Sequence, residues 1–336
     1  MAQSLSASQF DAALRTVDEG DAGAEEKAEM LMEIAMGMQA QPKTPDELHR
    51  AVALYERAAA LCPDGAPLLK ARVDARMGTA LHALPDGDTA TLHRAQFAFE
   101  AALPVLKQKG KPEEAAEAEM NLGLVVQSLA GLGAARIHDA VQCYHRALGV
   151  FTRETHPQEY AILHNNLAIA YLSIPLSDER AKMREALAVQ SFEEVLKVVN
   201  LIDHPTEYAM IQNNLGNALQ YAASGHALDN NLRALEAYDE ALRVRNPRDT
   251  PLEYANTISN KANVLRNLPD GAPAPEASRH DHLARALELY TEAQRIFTEH
   301  RQAGGARIVG DALAELSQEL ASLPANSGNG DDRPRA

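Results

Sequence analysis

The chain has 336 residues, of which 46% are hydrophobic but only 4% aromatic, and none is tryptophan. That balance disfavours a β-sandwich or barrel, which draws on aromatic and β-branched side chains, and it suits helices packed closely through alanine. A formal charge of −15 repels phosphate backbones and anionic lipid, so nucleic acid and membrane surfaces are poor partners.

Met1 to Ser6 lack the basic start and apolar core of a signal peptide, and no run approaches the 18 apolar residues of a membrane span. Cys62 and Cys143 stand far apart without a CxxC pattern, so no disulfide framework or thiolate metal site is expected. A reducing, cytoplasmic setting fits both observations. Residues 1–23, with Phe10, Leu14 and Val17 on one face, read as an N-terminal capping segment. Met30, Met32, Met36 and Met38 follow and are expected to pack a first helical hairpin.

From there a repeat runs through the chain. Pro157-Gln158-Glu159-Tyr160-Ala161 leads to Asn165-Asn166-Leu167-Ala168, and Pro205-Thr206-Glu207-Tyr208-Ala209 leads to Asn213-Asn214-Leu215-Gly216. Pro251-Leu252-Glu253-Tyr254-Ala255 leads to Ser259-Asn260-Lys261-Ala262, and weaker copies begin at Pro67 and Pro112. A proline at the first helical position sacrifices no useful N–H, and a glutamate two residues later complements the positive helix end.

Between these helices a second signature recurs: alanine, an aromatic residue four later and a small residue three further on. The copies are Ala51/Tyr55/Ala58, Ala95/Phe99/Ala102, Ala140/Tyr144/Ala147, Ala188/Phe192/Val195, Ala234/Tyr238/Ala241 and Ala286/Tyr290/Ala293. That spacing puts a ring between two small residues on one helical face. Each unit is therefore a helical hairpin, with breakers such as Leu84-Pro85-Asp86-Gly87, Ile174-Pro175 and Leu268-Pro269-Asp270-Gly271 between its two helices.

These residues resemble the tetratricopeptide repeats. Leu122-Gly123 and Leu215-Gly216 stand where that family has Leu-Gly in its first helix, and the alanine-aromatic-alanine series matches its second. The lengthened period, with wording such as Phe151-Thr152-Arg153-Glu154, is similar to the subtype that accompanies caspase-like peptidase domains in bacteria; such a domain is absent from this sequence. The resemblance implies an all-α, right-handed α-solenoid with six extended hairpins over residues 24–302. A capping helix over 303–323 and a disordered tail over 324–336 complete the expected organisation.

The family binds extended peptides on the inner faces of its first helices. With Gly78, Gly123, Ala168, Gly216 and Ala262 set at position eight of those helices, position six holds Arg76, Asn121, Asn166, Asn214 and Asn260. Asparagine offers both a donor and an acceptor, so a row of them can read a peptide backbone. Asn217, Asn263 and Arg266 fall on the same face, where Glu117 is the one carboxylate counted. The alternative is that these asparagines satisfy neighbouring groups or face water.

No GxSxG, HExxH, Walker A or GxGxxG pattern is present, and the histidines follow the repeat, so neither an enzyme nor a metal or cofactor site is expected. The expected function is a non-enzymatic scaffold or adaptor that binds an extended segment of another protein. The other readings are an assembly or maturation factor for a multi-subunit enzyme, and a sensor module for a separate peptidase effector.

Overall fold

Proline at the first helical turn opens helix after helix in the computed structural model, which describes residues 14–15, 17, 19–42, 44–174, 179–222, 226–272 and 278–322. Among these residues there are thirteen helices and no strand. The chain divides into two compact units, Met1–Ile174 and Pro175–Ala336. The first contains α1 (Ala24–Ala40), α2 (Pro45–Leu61), α3 (Pro67–His82), α4 (Thr89–Lys109), α5 (Pro112–Gly131), α6 (Ile137–Leu148) and α7 (Pro157–Ser173). The second contains α8 (Glu179–Leu196), α9 (Pro205–Tyr221), α10 (Ala227–Leu242), α11 (Pro251–Arg266), α12 (Arg279–Glu299) and α13 (Ala303–Ser322).

Within each unit every helix packs on its neighbours in sequence, the arrangement of an α-solenoid. In the first unit α1, α3, α5 and α7 also touch one another in succession, and in the second α9 touches α11. These helices, all but α1 opened by a proline, thus form an inner layer in each unit.

Three of the turns between hairpins, those before Pro157, Pro205 and Pro251, share one local device. Asn200 Oδ1 accepts from the backbone N–H groups of Ile202 (3.0 Å) and Asp203 (2.9 Å). Asn246 Oδ1 does the same for Arg248 (3.0 Å) and Asp249 (2.9 Å), and Thr152 Oγ1 accepts from Thr155 N–H at 3.3 Å. Such side-chain turns bring the chain round to the next proline. Asp88 and Ser278 cap α4 and α12 by accepting from the backbone of Thr91 and Asp281.

The core is built from the repeated rings. Tyr55, Phe99, Tyr144, Phe192, Tyr238 and Tyr290 are all buried, each contributing about 1.5–3 kcal/mol by the usual scale for a large apolar side chain. Glycine admits the ring at three places: Gly78 lies under Phe99, Gly123 under Tyr144 and Gly216 under Tyr238. Burial pushes the hydroxyls of Tyr144 and Tyr238 well above the usual range and that of Tyr290 up to about 12, which keeps them protonated donors.

At the C-terminal end α13 packs on α12, burying Val309 and Leu316. Of the N-terminal segment, Val17 is buried and Leu14 half-buried; Phe10, like the tail 324–336 and Pro175, lies outside the described residues. Met38 is buried in the first hairpin and Met30, Met32 and Met36 are half-buried. No helix among the described residues is long and apolar enough to cross a membrane.

Candidate functional site

On an α-helix, positions two, five, six, nine and twelve, counted from the glycine or alanine at eight, fall within one face about a third of the circumference wide. In the first unit this face is crossed between α3 and α5 by a series of polar contacts. Arg72 Nε donates to Glu114 Oε1 at 2.7 Å and Arg76 Nη1 to Glu117 Oε1 at 3.0 Å. Asn121 Nδ2 reaches Thr79 Oγ1 at 3.5 Å, and His82 Nε2 lies 3.1 Å from Ser128 Oγ. Burial alone would raise the pKa of Glu114, but Arg72 and the Lys111 N–H that it accepts hold it below the ordinary carboxylate range. Burial also lowers that of His82, leaving its ring neutral at pH 7. The space enclosed there is about 40 Å³, room for a water or two.

In the second unit the buried Asn213 is the hub. Its Oδ1 accepts from Thr257 Oγ1 at 3.2 Å and from Asn260 Nδ2 at 3.5 Å, while Thr257 Oγ1 accepts from Arg245 Nη1 at 2.8 Å. Arg245 sits six residues before a helix-opening proline, where Phe151 fills the corresponding place in the first unit with its ring against His156. Burial lowers the pKa of Arg245.

The sequence-derived residues fall into three groups. Asn217 Oδ1 accepts from the Tyr238 hydroxyl at 2.8 Å, and Asn263 Oδ1 accepts from that of Tyr290, so each has half of its amide committed to the core. Gln39 and Gln127 take Tyr55 and Tyr144 in the same way, at 2.8 Å each. Arg76 pairs with Glu117, and Arg266 donates to Glu315 (3.1 Å) and Glu319 (3.0 Å) of α13. The position-six asparagines are less engaged. Asn121 and Asn260 make only the two 3.5 Å contacts, at the weak limit for a hydrogen bond, and Asn214 is half-buried without a hydrogen bond among the described residues. Asn166 is 9% exposed, and neither its Nδ2 nor the buried Oδ1 of Asn165 has a hydrogen-bond partner among the described residues. Asn121 and Asn166 belong to the first unit, Asn214 and Asn260 to the second.

No protein-family model matches the chain, and no curated protein matches it. Among solved structures it is similar to BtubC (BKLC) from P. vanneervenii, with 21% identity, coverage of 72% of this chain and 95% of that one, and a TM-score of 0.47.

Two features of the face escape a count of its polar residues. Arg72 and Arg266 are neutralised by carboxylates outside the counted positions: Glu114 one turn earlier on α5, and Glu315 and Glu319 on α13. The face of α7 is not amide-rich but mostly aliphatic, with Ile162 47%, Ile169 37% and Leu172 37% exposed. Aligning positions two, nine and twelve across the repeats would have shown it, since α9 has Met210, Asn217 and Gln220 there and α11 has Asn256, Asn263 and Arg266.

Proposed function

We propose that the protein is a non-enzymatic scaffold of tetratricopeptide type that binds an extended segment of another protein on the inner helix faces of its units. The observation that carries this reading is the division of labour among the amides. Asn217 and Asn263 are committed to tyrosine hydroxyls, whereas Asn121, Asn166, Asn214 and Asn260 retain spare donors and acceptors on one helical face. A peptide backbone supplies the complementary groups at every residue. Asn217 and Asn263 then act as buttresses, and Arg76 and Arg266 hold neighbouring helices together.

A peptide selected on the full chain from a random twelve-residue phage library gives the probe. Asn214→Ala is expected to weaken its binding about two- to tenfold while leaving stability nearly unchanged, the effect of one lost net hydrogen bond. Asn263→Ala is expected to lower stability by about 1 kcal/mol, because the buried Tyr290 hydroxyl loses its acceptor. Titration calorimetry and urea unfolding of the two variants decide. The reverse pattern, with Asn214→Ala destabilised and binding as before, would assign the position-six row to the fold.

A further inference from the structure

The inner faces of α3, α5, α9 and α11 are polar or already cross-linked, and that of α7 is neither. On α7, Ile162, Ile169 and Leu172 expose 47%, 37% and 37% of their surface on the face that also holds Asn165 and Asn166. No charged residue occupies that face between Ile162 and Ser173. Large aliphatic side chains gathered on one surface mark a site where another molecule is buried. On the same face an acceptor atom, Asn165 Oδ1, and a donor atom, Asn166 Nδ2, are buried without hydrogen-bond partners among the described residues. Leaving such groups unpaired costs about 1–3 kcal/mol each, so native structures rarely do so unless a further group completes them.

We propose that the α7 face is the apolar anchor point for the bound segment: it takes an aliphatic or aromatic side chain from an uncharged stretch of extended peptide, while Asn165 and Asn166 turn to bond the adjoining peptide unit. The inference rests on the reading that the inner faces bind an extended segment, and it adds what that segment must contain. A charged side chain there would lose hydration against Ile162, Ile169 and Leu172 with no counter-ion on the face. A helical or globular partner would satisfy its own backbone and leave the two amides unpaired, which is why an extended segment is the occupant that fits.

The test uses the full chain and peptides from the random twelve-residue phage library, made synthetically and titrated by fluorescence anisotropy. Selected peptides are expected to share an aliphatic or aromatic residue flanked by uncharged ones. Ile169→Asp is expected to weaken them at least tenfold, and Asn166→Ala two- to tenfold. If Ile169→Asp proves unfolded by circular dichroism, Ile169→Ser with an unchanged melting temperature takes its place. Peptides that bind Ile169→Asp or Ile169→Ser as tightly as the parent, or that are selected for charged residues, overturn the anchor while leaving inner-face binding standing if Asn214→Ala weakens them. Selection that yields no binding peptide overturns both.

Discussion

Gly123→Leu is expected to destabilise the first unit by about 3 kcal/mol or more, the upper range for forcing bulk into a packed core. A β-carbon at Gly123 would already run into the ring of Tyr144. That ring cannot retreat: it is fully buried and its hydroxyl is held by Gln127 at 2.8 Å. The control is Gly37→Ala on α1, where the new methyl meets nothing within 4 Å. There the removal of an exposed glycine from the last turn of the helix should stabilise by up to about 1 kcal/mol. Urea unfolding followed by circular dichroism reads both. A Gly123→Leu midpoint equal to that of the parent would mean that the hairpin does not close through this ring.

Arg146→Met is expected to cost about 2 kcal/mol at pH 7, less than the ~3–5 kcal/mol of a fully enclosed pair because one cation remains and both are half exposed. Glu119 is buried, its side chain only 3% exposed, with Lys107 Nζ at 2.7 Å and Arg146 Nε and Nη2 both at 2.8 Å. Burial alone would raise its pKa, but the hydrogen bonds from Arg146 and Lys107 hold it below the ordinary value of 4.5. A lowered folded-state pKa means stability that is present above that ordinary value and lost as pH falls through the folded one. In Arg146→Met the carboxylate keeps its burial and loses its stronger partner, so protonation relieves it. The difference between parent and variant should therefore shrink on acidification from pH 7 towards 4. A difference independent of pH would show that Arg146 contributes packing alone.

Much of the fold is legible in the order of residues because its determinants are local. Pro67, Pro112, Pro157, Pro205 and Pro251 each open a helix, and all six aromatic residues of the second signature are buried. A 3.6-residue period and a residue favoured at the first helical position suffice for that. The turn asparagines Asn200 and Asn246 are equally local, yet they are hard to tell from any other loop polar residue until their backbone partners are seen.

The site is less legible because its contacts join residues far apart in sequence, within a repeat or across to the next. Nothing near Arg266 in sequence announces Glu319, 53 residues on, and nothing near Asn263 announces Tyr290, 27 residues on. Asparagine at position six and asparagine at position nine look alike in a sequence. What separates them is the neighbouring helix, whose tyrosine hydroxyl reaches position nine or twelve and not position six. The division between the two units, at Ile174, falls between α7 and α8, although the repeat wording of the sequence continues on either side.

Photo-crosslinking tests inner-face binding most directly. A selected peptide carrying benzophenone at its central apolar residue is irradiated on the full chain, and the attachment points are mapped by mass spectrometry. The account predicts attachment within α7 between Ile162 and Ser173, with further sites on inner-layer helices α3 or α5 of the same unit. Attachment confined to the intervening helices α2, α4, α6, α10 and α12 would contradict it.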